Sequence, residues 1–459
     1  MASRRGSGNT CVCRVCDDVR ARLNKIFTVL DTYGWLLDTY IVDFFEDDVW
    51  SKLPGDWRKV LGNTSPEQLG EWMLGNTSGA RVWPLSLYCN EELNNLPQTT
   101  KRKLVDPKYE KLFTKSVKKK KRHEIENIAK TTSELAALAK CECIIDIGAG
   151  MGHLARTLAY NYGMCVVCLE QDESLSDQAR KCDENLLALL KKKMPDILAR
   201  NPHHISTKVS DSDIQGEELA KKLINEFQLN FGLDESKGGF GLIGLHSCGN
   251  LAATLLKFHA TQKESRFICI VGCCYMKITP GTMETASFGY PLSKHVSMAN
   301  NHGLSYAALE VACHAIENYS DKLRTGDYQD LLVHAYRATL EVILIRKNGK
   351  SMRRSHLKNV KLKRDMSFQR YCLNATEILK PENQPDPTDL NTDEVSNCLK
   401  RWRDVVAFGT LRFMLAPLVE TAVLLDRFLY LSERNLTPSL RPIFDPRVSP
   451  RNIVLTAWK

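Results

Sequence analysis

Between residues 123 and 273 the chain alternates short apolar runs with longer stretches whose apolar positions recur every three or four residues. The short runs predict strands at 143–148, 165–170, 204–209, 240–246 and 267–273. The longer stretches predict helices at about 152–162, 174–193, 216–228 and 250–260. Alternation at this spacing builds βαβ units, so the expected fold class is α/β: a mostly parallel sheet with helices on both faces. Upstream, DVRARLNKIFTVLDTYGWLLDTYIVDFF keeps helical spacing with a break at Gly34. Ser65-Pro66-Glu67-Gln68 has the form of a helix start, with a serine cap, a proline in the first turn and a glutamine that reaches back. A helical domain is expected over 17–100. The stretch 408–431 is the most apolar, but it carries Arg412, Glu420, Asp426 and Arg427. A membrane helix needs roughly 18 or more uncharged residues, so a buried amphipathic helix pair is expected there and no membrane partner. MASRRGSGNT has no apolar core behind its arginines and is not expected to be a secretory signal.

The first strand brings chemistry into this frame. It runs into Asp146, after which Gly148, Ala149, Gly150 and Gly152 open the next helix. Such a turn lets backbone N–H groups and a helix N-terminus approach a polar ligand without a Cβ between them. The second strand ends at Glu170-Gln171, about 20 residues on, where an acid can hold both hydroxyls of a ribose. The pair points to a nucleoside cofactor. The alternation D-x-G-x-G-x-G departs from the dinucleotide pattern G-x-G-x-x-G, and it resembles the S-adenosylmethionine loop of class I methyltransferases. In an open parallel sheet ligands bind beyond the carboxyl ends of the strands. After strand three, Asp211 or Asp213 is therefore positioned to accept the adenine amino hydrogen, with Asp211 preferred because Asp213 also fits as a cap.

Strand four ends in LHSCGN and strand five in GCCYM, which places His246, Cys248, Cys273, Cys274 and Tyr275 on the acceptor side. Methyl transfer is an in-line displacement, so the protein mainly aligns the nucleophile and removes its proton. His246 has the side chain suited to a base near neutral pH. It also fits a plain hydrogen-bonding role in the loop, and the cysteines fit as core thiols. Zinc on His246, Cys248, Cys273 and Cys274 is chemically permitted, but the C-x₂-C spacing is missing and no metal is expected.

Charge is uneven along the 459 residues, and this matters more than the net +9. Residues 101–122 hold eleven Lys/Arg against two acids, 346–370 hold ten against one, and 373–397 are acidic and proline-rich. Lys118, Lys119, Lys120, Lys121 and Arg122 read either as a solvated linker or import signal, or as a phosphate-binding face beside the site. Sixteen cysteines without a secretory signal are expected to stay reduced, so an intracellular location in cytosol or nucleus is expected.

Taken with KKKKRHEI, LHSCGNLA, GCCYMKI and the C-terminal LLDRFLYLSERN and IFDPRVSPRN, the glycine loop resembles the methyltransferase-like protein 25 family over nearly the whole chain. The resemblance implies a class I methyltransferase with S-adenosylmethionine at 146–152 and Glu170. Such folds finish with an antiparallel strand inserted beside the sixth. LEVILIR at 340–346 and NIVLTAW at 452–458 are expected to be that pair, with 350–450 a helical insertion between them. The expected layout is an N-terminal tail to 16, the helical domain, a basic linker over 101–122, a core over 123–349, the insertion, and a last strand over 451–459. Adenine-N6 methyltransferases resemble one another in a (N/D)-(P/I/L)-P-(Y/F) tetrapeptide after strand four. Here that position reads His246-Ser247-Cys248-Gly249, so adenine dimethylation is not expected. H-x-C-G followed by C-C-Y is instead similar to a tRNA ribose 2′-O-methyltransferase acting on the acceptor stem, although the further histidines and cysteines of that motif are missing. The expectation is an S-adenosylmethionine-dependent methyltransferase acting on RNA. A protein or small-molecule methyltransferase and a non-catalytic scaffold remain as alternatives.

Overall fold

Seven strands form one sheet: β1 (Cys143–Ile147), β2 (Cys165–Glu170), β3 (His203–Ser206), β4 (Phe240–Leu245), β5 (Ser265–Val271), β6 (Thr437–Pro442) and β7 (Ile453–Trp458). Their order is β3-β2-β1-β4-β5-β7-β6, parallel through β5, with β7 antiparallel to both β5 and β6. The computed structural model describes residues 4–5, 11–74, 104–114, 117–197, 199–209, 218–232, 239–281, 289–326, 328–363 and 366–459. The central strands are apolar almost throughout, because helices cover both faces. Those helices are α1 (Lys119–Leu138), α2 (His153–Tyr162), α3 (Glu173–Lys193), α4 (Glu218–Phe231) and α5 (Asn250–Thr261). Ile144, Val166, Ile243 and Cys269 are fully buried at the centre.

The chain divides into two units. One comprises 1–28, 84–304 and 418–459 and holds the sheet, while the other comprises 29–83 and 305–417. This revises the expected layout at four places. LEVILIR is helical, inside Gln329–Asn348, and Leu340, Glu341, Val342, Ile343, Leu344 and Ile345 are all buried. A continuous apolar run suits a buried helix as well as a buried strand. The later signals, Arg346 and Lys347 in the last turn and Gly349 after it, belong to a helix end.

The actual partner of β7 is TPSLRP, whose two prolines are tolerated because β6 lies at the sheet edge. Residues 305–349 belong with 29–83 rather than with the sheet. There Pro66–Met73, with the expected serine–glutamine capping box, packs on Ile316–Arg324, and the Ser320 hydroxyl donates to the Gly70 carbonyl at 2.8 Å. Finally, 408–431 lies in a single helix, Trp402–Ser432, which absorbs Pro417. By length and mean hydropathy that helix passes as a membrane span, yet 78% of its most apolar window is buried within the chain.

Candidate active site

The loop after β1 is shaped by three glycines at φ +74° (Gly148), +55° (Gly150) and +68° (Gly152). A Cβ on Gly148 or Gly150 would meet nothing within 4 Å, so both present bare backbone to open space. A Cβ on Gly152 would stand 2.7 Å from the His204 ring, so the third glycine serves packing. Glu170, at the end of the neighbouring strand, accepts the Gly150 N–H on Oε2 at 2.9 Å and the Asp172 N–H on Oε1 at 3.1 Å. Asp146 is 2% exposed, and its Oδ2 has no hydrogen-bond partner among the described residues. Burial pushes its carboxyl up to about 7, with Lys121 pulling it down and Glu170 pushing it further up. A cavity of about 570 Å³ opens at this edge, lined by Gly148, Glu170, Gln171, Lys208, Asn250 and Thr254 among others. Ala149 packs half-buried against the core. Asp211 and Asp213 lie outside the described residues.

A buried ion-pair network carries the loop. The Arg156 Nε donates to Asp183 Oδ1 at 2.5 Å, His204 Nε2 meets Asp183 Oδ2 at 2.8 Å, and Arg156 Nη2 donates to the Met151 carbonyl at 3.1 Å. Nothing in the local pattern singles out these residues, because they come from α2, α3 and β3.

Just after β4, and not among the residues that line the cavity, His246 sits at φ +68°, with its side chain 39% exposed and Nε2 3.1 Å from Glu124 Oε2. Glu124 is buried on α1 and also accepts the Ser449 hydroxyl on Oε1 at 2.6 Å. Burial pushes the Glu124 carboxyl up, but the hydrogen bonds from His246 and Ser449 hold it below its usual range. An ionised Glu124 accepts Nε2–H and leaves Nδ1 as the imidazole's acceptor. The sequence pattern does not single out Glu124 or Ser449, although both lie in the blocks KKKKRHEI and SPRN that carry the family resemblance.

Cys248, Cys273 and Cys274 meet as a triangle of sulfurs at 3.0, 3.3 and 3.5 Å. Its bonds to Cys273 and Cys274 hold the Cys248 thiol below the ordinary range despite burial, while the Cys248 sulfur pushes Cys273 above it. His246 does not join the triangle; it is tied to Glu124. Tyr275 departs from expectation. It is 2% exposed, and its hydroxyl donates to Glu420 at 2.8 Å on the long helix, so it is a core residue rather than an acceptor-site one. The Tyr275–Lys277 helical turn rotates its ring inward.

The basic run is not a simple linker. Pro107–Thr114 is helical, and Lys119, Lys120, Lys121 and Arg122 form the first turn of α1, with Lys118 at its cap. That turn contains no acid, so these charges oppose the helix dipole. Lys121 lies close enough to Asp146 and His153 to lower both their pKa values. Arg122 donates to the Thr114 carbonyl at 3.0 Å.

Strand order, glycine loop and the acid after β2 together define a class I methyltransferase fold. Residues 120–281 match the family model described as "Methyltransferase domain". "Probable methyltransferase-like protein 25" of Mus musculus is 28% identical over 227 residues, covering 48% of this chain and 37% of that protein. The Homo sapiens protein of the same name is 29% identical over 230 residues, covering 48% and 36%. These matches support a relationship to the methyltransferase-like protein 25 family over about half of the chain. The matched stretch spans little more than a third of those relatives' own length.

Proposed function

We propose that the chain binds S-adenosylmethionine at the β1–β2 edge and transfers its methyl group to RNA, at a hydroxyl or another site that needs a base. The observation that carries the cofactor reading is Asp146, a buried carboxyl with an oxygen that has no partner among the described residues, beside two glycines that face open space. A buried acid without a partner is costly unless a ligand satisfies it, and a cationic amino group does so best. Glu170 exchanges its hydrogen bond with Gly150 for ribose hydroxyls, and Gln171 and Lys208 line the same cavity. When bound, S-adenosylmethionine supplies an electrophilic methyl group on a sulfonium. His246 Nδ1 takes the proton of the acceptor while Glu124 holds the ring from behind, the base-and-orienter arrangement of general-base catalysis. Lys118, Lys119, Lys120, Lys121 and Arg122 set five cationic side chains at one helix start with no acid among them, and this charge favours a phosphate-bearing acceptor such as RNA over a neutral one.

Calorimetric titration with S-adenosylmethionine and its demethylated product tests the cofactor site. Binding is expected for the wild type and lost in Gly150→Arg and Asp146→Ala, and unchanged binding in both variants overturns the placement. Tritiated methyl transfer into extract from cells lacking the protein, fractionated into RNA, protein and metabolites, tests the acceptor. Label confined to protein or metabolites overturns the RNA reading, and no label in any fraction points to a scaffold.

A further inference from the structure

We propose that Cys248, Cys273 and Cys274 form a three-thiolate site for a soft divalent cation, zinc by preference, where the chain leaves β4 and β5. Three thiol sulfurs from two strand ends lie within 3.0–3.5 Å of one another, and all three cysteines are half-buried. Cys168 and Cys269, by contrast, are fully buried within strands. Tetrahedral zinc at about 2.3 Å from sulfur spaces its thiolates by about 3.8 Å, so the edges of the triangle open by about 0.3 to 0.8 Å to admit the ion. Thiolate ligands select zinc over the hard cations.

The backbone is built to hold this triangle. Gly249 has φ +56°, and a Cβ there would stand 2.5 Å from the Lys277 carbonyl oxygen, so the loop after β4 lies directly on the turn after β5. Asn250 clamps the same two loops, accepting the Thr279 N–H on Oδ1 at 2.8 Å and donating from Nδ2 to Thr279 Oγ1 at 3.0 Å. Each thiol gives up its proton on binding, and the resulting site carries one net negative charge, which Lys277 near Cys248 offsets. Three protein ligands leave the fourth position to water or to an acceptor oxygen.

The test uses the full chain, purified anaerobically, stripped with chelator and titrated with Co²⁺ alone. One equivalent is expected, with a thiolate-to-cobalt charge-transfer band and tetrahedral ligand-field bands that Zn²⁺ abolishes. Cys248→Ser and Cys273→Ser should each weaken binding by more than about tenfold and remove about a third of the charge-transfer intensity, whereas Cys182→Ser should change neither. A second arm needs no variant. In alkylation footprinting of the wild type, Co²⁺ should protect Cys248, Cys273 and Cys274 while Cys182 labels as before. A spectrum without thiolate charge transfer, an absence of protection, or a Cys248–Cys273 disulfide recovered from chain alkylated at lysis overturns the proposal. Neither arm involves S-adenosylmethionine or RNA, so failure here is distinct from failure of the proposed function.

Discussion

Asp146 links burial to ligand affinity through a single proton. Its carboxyl titrates near 7 in the folded chain against 3.8 when exposed. Between those values the folded state holds a proton that the unfolded state has lost. This residue's contribution to stability therefore falls as pH rises from 3.8 to about 7 and is level above. Cofactor binding should run the opposite way, because the carboxylate is the form that pairs with an ammonium. Affinity for S-adenosylmethionine is expected to rise by up to about tenfold per pH unit below 7 and to flatten above it. Asp146→Asn should remove that slope. Calorimetry from acid to alkaline pH checks it, and an affinity that is flat or falls with pH in the wild type takes Asp146 out of the ligand set. His246 makes a second prediction at this scale. His246→Ala should lower turnover by roughly 10²–10⁴-fold with cofactor affinity nearly intact, and Glu124→Gln should follow in the same direction. If affinity and melting temperature fall together with activity, His246 only shapes its loop.

Two elements carry charges in places that local stability does not favour, for opposite reasons. Arg156 and Asp183 are each 1% exposed, held together with His204 across α2, α3 and β3. Asp183→Ala strands a buried guanidinium and should cost about 3–5 kcal/mol in urea unfolding. It should also weaken cofactor binding, because Arg156 holds the Met151 carbonyl of the glycine loop. A loss under about 1 kcal/mol shows that the network is not carrying the loop. The first turn of α1 is the reverse case, with lysines set against the helix dipole. Lys119→Glu should stabilise the helix by about 0.3–1 kcal/mol. Neutralising Lys118, Lys119, Lys120 and Lys121 should weaken RNA binding and reduce its logarithmic salt slope by about 0.7–0.9 for each phosphate no longer neutralised. Undiminished binding, or a wild-type affinity insensitive to salt, counts against the phosphate-binding face.

For the whole molecule, the sheet is assembled from distant parts of the chain. β5 pairs with β7 through Phe267↔Trp458 to Ile270↔Leu455, so the sheet needs residues beyond 417 to cover the flank of β5. A fragment ending at 304 leaves β5 as an open apolar edge and should aggregate or expose its core. Co-expression with 418–459 should restore soluble, cooperatively unfolding protein. Equal stability of the fragment with and without that segment would show that β6 and β7 are dispensable.

The central strands, their helices, the glycine loop and Glu170 are legible in the sequence because each depends on local physics: continuous apolar runs, cap residues and backbone conformations open to glycine. LEVILIR misleads for the same reason, since local apolarity does not distinguish a buried strand from a buried helix. β6 escapes a reading of the sequence because its prolines argue against a strand until the edge position is known. The pairing of His246 with Glu124, the Arg156–Asp183–His204 network, the inward turn of Tyr275 and the triangle of thiols have no local signature. Each joins groups from separate elements, and their distance is set by how the sheet brings strand ends and helices together. Spacing along the chain is silent about that distance, and it argues against a metal where folding places three sulfurs side by side.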